Sequence, residues 1–121
     1  MSKKILIIDD EPDLVRVIEF KLEKAGYAVS SADNGGDGLK MAQNSRPDLI
    51  LLDIRLPVMD GYEVCGAIKN NPDLKNIPVI FLTASANNTV AEKTKELGAD
   101  DYLVKPFDMG ILLSKIAKFV G

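Results

Sequence analysis

Histidine is absent from the 121-residue sequence. That removes a Ser-His-Asp triad, a histidine general base and histidine metal ligands. A bound metal would have to be held mainly by oxygen, which favours magnesium, calcium or manganese. The one cysteine, Cys65, cannot form an internal disulfide, so an interior, reducing compartment, the cytoplasm, is expected. With no base beside it, Cys65 reads as a small half-buried helix residue and not a nucleophile. No apolar run approaches the roughly 18 residues that span a membrane, and the N-terminus lacks a secretory pattern. The formal net charge of −3 gives no basic excess for a phosphate backbone, so direct nucleic-acid binding is not expected. Lys21, Lys24, Lys115 and Lys118 read as solvated helix faces. The length suits one domain, residues 1–121, and no linker, repeat or low-complexity segment divides it.

What is present is a regular alternation. Leu49 to Leu52 is a short apolar run between turn formers, as in a strand buried on both faces of a parallel sheet. Lys4 to Ile8, Tyr27 to Ala32, Pro78 to Leu82 and Asp101 to Val104 read as four more strands. Between and after them lie helices. Pro12 suits a first helical turn, followed by Leu14, Val15, Ile18 and Leu22 at helical spacing up to Gly26. Around Asn34, Gly35 and Gly36 the chain is expected to turn, leaving a short helix over Leu39 to Gln43. Gly35-Gly36-Asp37-Gly38 lacks the Lys-Ser/Thr that would make it a phosphate loop. Gly61 to Ile68 carries Val64 and Ile68 inward, and Asn70 to Asn76 has loop composition. Val90, Ala91, Thr94 and Leu97 mark a fourth helix ending at Gly98. Leu112, Leu113, Ile116 and Val120 mark a fifth, with Ile111 on its opposite, exposed side. Five strands alternating with five helices define an α/β fold with a doubly wound parallel sheet. The second and fifth strands are the shorter or more polar, hence the edges, which is compatible with the order 2-1-3-4-5.

In such a sheet, chemistry collects outside the carboxyl ends of the strands. Those ends carry Asp9 and Asp10, Asp53, Thr83 and Lys105. Three neighbouring carboxylates repel one another, and a hard divalent cation with oxygen ligands relieves the repulsion. A metal, a hydroxyl and an ammonium around one free carboxylate would stabilise a phosphoryl group, whose transfer needs positioning and charge neutralisation above all.

Asp9-Asp10, Asp53 followed by Pro57 and Met59-Asp60-Gly61, Thr83-Ala84, Gly98-Ala99-Asp100-Asp101-Tyr102 and Lys105-Pro106-Phe107 together resemble the receiver domain of two-component response regulators, the CheY-like family. The match runs from Lys4 to about Val120. The resemblance implies a flavodoxin-like (βα)5 fold and a phosphorylation-controlled signalling module with Asp53 as phosphoacceptor. The donor would be a phosphohistidine on a sensor histidine kinase or histidine phosphotransfer protein. It implies Mg2+, with Mn2+ an alternative, on Asp10 and Asp53, on Asp9 mostly through water, and on the backbone carbonyl of Arg55. Lys105 would pair with phosphoryl oxygens, and its bond to Pro106 would be cis. Thr83 would reach toward the phosphoryl group and let Tyr102 turn inward. The surface of the fourth helix, fifth strand and fifth helix would then favour a downstream protein or effector domain. The implied molecule is no enzyme beyond promoting its own phosphorylation and dephosphorylation, has no membrane partner, and is a monomer or a weak phosphorylation-dependent dimer.

Two other readings compete. A degenerate receiver would bind partners without phosphorylation, but intact Asp53, Thr83 and Lys105 argue against it. A phosphatase of the haloacid-dehalogenase kind needs a second aspartate two residues after the nucleophile as general acid. Arg55 stands there and cannot serve at neutral pH. In departure from the commoner family pattern, the last helix begins with Gly110 and Ile111 in place of acidic residues. An exposed Ile111 near the output surface is expected to help a partner or a second copy dock. Arg55, at a variable position, is expected to affect water attack on the acyl phosphate.

Overall fold

The computed structural model describes residues 2–85 and 87–121. The apolar runs form β1 (Lys4–Ile8), β2 (Ala28–Ala32), β3 (Leu49–Asp53), β4 (Val79–Thr83) and β5 (Asp101–Val104). The helices are α1 (Pro12–Lys24), α2 (Gly35–Ser45), α3 (Gly61–Lys69), α4 (Asn88–Leu97) and α5 (Met109–Val120). All strand pairs are parallel, in the order β2-β1-β3-β4-β5, as the burial argument requires. β1, β3 and β4 are almost wholly buried, whereas edge strands β2 and β5 are mostly half-exposed.

Side chains alternate across the sheet with period two and so divide the core into two layers. Ile5, Ile7, Leu49, Leu51, Ile80 and Leu82 pack under Val15, Ile18 and Leu22 of α1 and Leu112 and Ile116 of α5. Leu6, Ile8, Ile50, Leu52, Val79 and Phe81 face Ala42 of α2 and Val64, Cys65 and Ile68 of α3. With helices on both faces, the inner strands β1, β3 and β4 meet water chiefly at their two ends. Burial of these aliphatic side chains, worth about 1.5–3 kcal/mol each, fixes where the loops at the carboxyl end must stand.

Several expectations are corrected. Gly35-Gly36-Asp37-Gly38 is the first turn of α2 and not a separate turn, because Asn34 caps it: its side chain accepts the Asp37 N–H at 2.9 Å. The glycine at 38 allows close packing, since a Cβ there would lie 2.5 Å from Ile8 Cδ1. Cys65 is fully buried, and burial pushes its thiol up to about 11, which suits an inert core residue. Lys115 is not a free solvated charge: it donates to Asp101 at 2.6 Å, tying α5 to the edge strand. Ala91 is exposed, so Val90 and Thr94 hold α4 down, the Thr94 hydroxyl donating to the Val90 carbonyl.

Candidate functional site

Each residue of the site stands where a strand stops and the chain turns away. Asp9 follows β1, its N–H donating to the Ala32 carbonyl of β2 at 3.1 Å. Its Oδ1 accepts the Glu11 N–H at 2.9 Å, so the loop into α1 folds back onto the carboxylate. Asp53 ends β3, and its Oδ1 accepts the Arg55 N–H at 3.2 Å. Thr83 ends β4 one residue beyond Leu82, the register partner of Asp53. Lys105 follows β5, its N–H donating to the Thr83 carbonyl at 2.6 Å, and the Lys105–Pro106 peptide is cis.

Asp9, Asp10 and Asp53 each offer an oxygen such that all three atoms lie within 4.8 Å of one another. Asp9 and Asp53 are buried and Asp10 is exposed, so the group opens to solvent on one side. There it adjoins a cleft of about 710 Å³ between α1, α2 and β2. Lys105 Nζ lies 2.6 Å from Glu11 Oε1, 3.0 Å from Asp9 Oδ2 and 3.5 Å from Asp53 Oδ2. The charge does not balance locally. Burial, and then the Asp9 charge, raise the Asp53 pKa to about 6, against the opposing pull of Lys105 and the Arg55 amide. Burial disfavours the Lys105 ammonium, yet its close contacts with Glu11 and Asp9 and the nearby Asp53 charge raise its pKa on balance. Asp9 Oδ2 is buried and makes no well-aligned hydrogen bond among the described residues, the Lys105 ammonium at 3.0 Å being an ion-pair contact. A buried carboxylate oxygen held by an ion pair alone, beside two more carboxylates and with no histidine or cysteine ligand in the group, fits a hard divalent cation.

Of the residues read from the sequence, Asp9, Asp10, Asp53 and Lys105 are brought together. Thr83 stands on the adjoining strand end, but its hydroxyl is engaged, donating to the Ser85 carbonyl at 3.1 Å and accepting the Ser85 N–H at 3.2 Å. Tyr102 is half-buried and packs against the Phe81 layer. Arg55 has an exposed side chain. Ile111 is 51 % exposed on the outer side of α5. Sequence reasoning missed Glu11, the shortest contact of Lys105. Three consecutive acids after a strand, the last at a helix cap position that glutamate seldom fills, were the available signal.

The model of the response regulator receiver domain matches residues 5–117. Over 107 residues the chain is 43 % identical to the alkaline phosphatase synthesis transcriptional regulatory protein PhoP of Bacillus subtilis (strain 168), covering 88 % of this chain and 44 % of PhoP. The chain therefore spans less than half the length of that relative. Chemotaxis protein CheY4 of Vibrio cholerae superposes with a TM-score of 0.93 at 32 % identity, covering 98 % of this chain and 99 % of CheY4. The receiver domain of sensor histidine kinase PA1611 from Pseudomonas aeruginosa PAO1, with a magnesium ion coordinated in its active-site cleft, gives 0.91 at 35 % identity over 100 % and 99 % of the two chains. The chain belongs to the response regulator receiver domain family. It is a module of phosphorylation-based two-component signalling, and not a metabolic enzyme of the ordinary kind. No helix among the described residues is long and apolar enough to cross a membrane.

Proposed function

We propose that this chain is a single receiver unit that accepts a phosphoryl group on Asp53 from a partner's phosphohistidine and thereby changes what its α4-β5-α5 surface binds. The observation that carries this is the convergence of Asp9, Asp10 and Asp53, with Lys105 bridging Asp9 and Asp53. An oxygen of the Asp53 carboxylate attacks phosphorus, the P–N bond breaks, and the imidazole leaves with the electron pair. Lys105 pairs with the phosphoryl oxygens once Asp53 loses its free charge. Thr83 reaches the new group by giving up its bonds to Ser85, and the space it leaves is the one into which Tyr102 turns. Asp10, Asp53 and Asp9, with the Arg55 carbonyl, would hold Mg2+. Bound there, the cation neutralises charge on the transferring oxygens. A sensor histidine kinase or phosphotransfer protein is the upstream partner, and a downstream protein or effector domain reads the altered surface. Ile111, exposed on α5, contributes apolar contact area to that docking.

The test is incubation with magnesium and acetyl phosphate followed by intact mass. An adduct in wild type and none in Asp53→Asn supports the reading, and an adduct that persists in Asp53→Asn would sink it. Ile111→Glu should leave the adduct unchanged and weaken partner binding.

A further inference from the structure

We propose that Glu11 is a positioning residue that holds Lys105 in a waiting place, from which an arriving phosphoryl group must draw the ammonium away. This rests on the reading of Asp53 as the acceptor. Three carboxylates contend for one ammonium. The shortest contact, 2.6 Å, is with Glu11, the most exposed of the three acids, and the longest, 3.5 Å, is with Asp53. The resting lysine is thus held most closely by a residue outside the acidic cluster and least closely by the group it would serve.

Glu11 makes no other side-chain hydrogen bond or ion pair among the described residues. It occupies the N-cap of α1 without making a side-chain cap bond, so that helix forgoes the hydrogen bond that Ser, Asp or Asn would supply there. An acid near a helix N-terminus gains a little from the dipole, but that favours no direction across the site. The side chain is directed instead to Lys105, 94 residues away in sequence, which links the β1–α1 loop to the β5–α5 loop. The Glu11 backbone is fixed at both sides, its N–H donating to Asp9 Oδ1 at 2.9 Å and its carbonyl accepting the Val15 N–H at 3.0 Å. A carboxylate anchored in this way opposes phosphorylation twice, by competing for the lysine and by repelling the incoming anion.

The test is a double-mutant cycle on Glu11→Gln and Lys105→Ala, read as affinity for beryllofluoride, a phosphoryl mimic, in the presence of magnesium. Glu11→Gln should tighten binding roughly three- to fivefold when Lys105 is present, the upper part of the range expected for loss of a partly exposed ion pair. In the Lys105→Ala background the gain should fall below about twofold, the residue of simple charge removal. An equal gain in both backgrounds, or none in the first, overturns the proposal. Failure of the wild type to take up beryllofluoride overturns the reading of Asp53 and this proposal with it. A second measurement needs no metal or phosphoryl chemistry. The Lys105 15Nζ ammonium signal of the resting protein should shift or broaden in Glu11→Gln, and an unchanged signal overturns the waiting contact alone.

Discussion

A Cβ atom on Gly61 would stand 2.2 Å from the carbonyl oxygen of Asp53 and 2.7 Å from Ile54 Cα. The first residue of α3 therefore packs directly on the backbone that carries the Asp53 carboxylate, and its N–H donates to the Ile54 carbonyl at 2.8 Å. No rotamer change can relieve a backbone collision. Gly61→Ala should push α3 and the end of β3 apart, at a cost of about 1–3 kcal/mol. Because the displaced atoms belong to Asp53, magnesium affinity and adduct formation should fall together with stability. Chemical denaturation and a magnesium titration of the same variant check this. A variant that loses stability yet binds magnesium normally would contradict it.

The raised pKa of Asp53 fixes the sign of a pH effect. A carboxyl group whose pKa lies higher folded than unfolded favours the fold below its unfolded value, 3.8, and loses that contribution as pH rises through about 6. A shift of two units corresponds to roughly 3 kcal/mol, which the open side of the site should reduce to about 1–2 kcal/mol. In metal-free buffer at neutral pH, Asp53→Asn should therefore melt higher than wild type. The amide keeps an oxygen for the Arg55 N–H and drops the charge that Asp9 opposes. Below pH about 4 the difference should vanish, and saturating magnesium should narrow or reverse it. Thermal melts at the two pH values, with and without chelator, are the measurement. Equal melting temperatures at neutral pH in chelator would refute it.

Most of this architecture was legible because burial dictates it. Strands such as Leu49–Asp53, apolar without alternation, can only be central, and two poorer strands can only be edges. The strand ends then brought Asp9, Asp53 and Lys105 together without further assumption. What escaped was decided by side chains meeting between elements that only the folded chain brings together. Nothing local says that Lys105 finds Glu11, 94 residues away, because only the fold brings their two loops close. How α5 folds back over β5 to set Lys115 on Asp101 is likewise a matter of packing. The start of α2 escaped for another reason. Three glycines among its first four residues argue against a helix by propensity, and the Asn34 cap and the fit of Gly38 against Ile8 outweigh that.

Val58 stands at φ 67 with its side chain fully exposed. A β-branched residue in the left-handed region is strained by roughly 1–2 kcal/mol, and this side chain buries nothing in return. Asparagine tolerates that conformation. Val58→Asn should stabilise the protein by about 0.5–1 kcal/mol, seen as a melting temperature higher by a few degrees. Arg55 and Gly61 keep their own backbone contacts, so adduct formation at Asp53 should not change. A loss of stability would mean that the backbone is held there by a contact the valine itself supplies.

The amino end of the sheet allows stability to be separated from chemistry. Lys69, near the end of α3, donates to the carbonyls of Ile77 at 2.8 Å and Lys75 at 3.2 Å, and lies 3.6 Å from Asp100 Oδ2. The same Asp100 oxygen accepts the Val79 N–H at 2.9 Å, so one ammonium gathers the α3–β4 loop and the start of β4. Lys69→Met keeps the aliphatic stem and removes the charge, leaving Asp100 without its cation and two carbonyls without a donor. Each lost partner costs about 1 kcal/mol where water can replace it and more where it cannot, so a total of roughly 2–3 kcal/mol is expected. Asp53 closes the opposite end of β3. Magnesium affinity and the yield of acetyl-phosphate adduct should therefore match wild type at a temperature where both proteins are folded. Denaturant unfolding beside a magnesium titration decides it: reduced stability with unchanged binding is the expected pair, and a parallel loss of both would show that the two ends of the sheet are coupled.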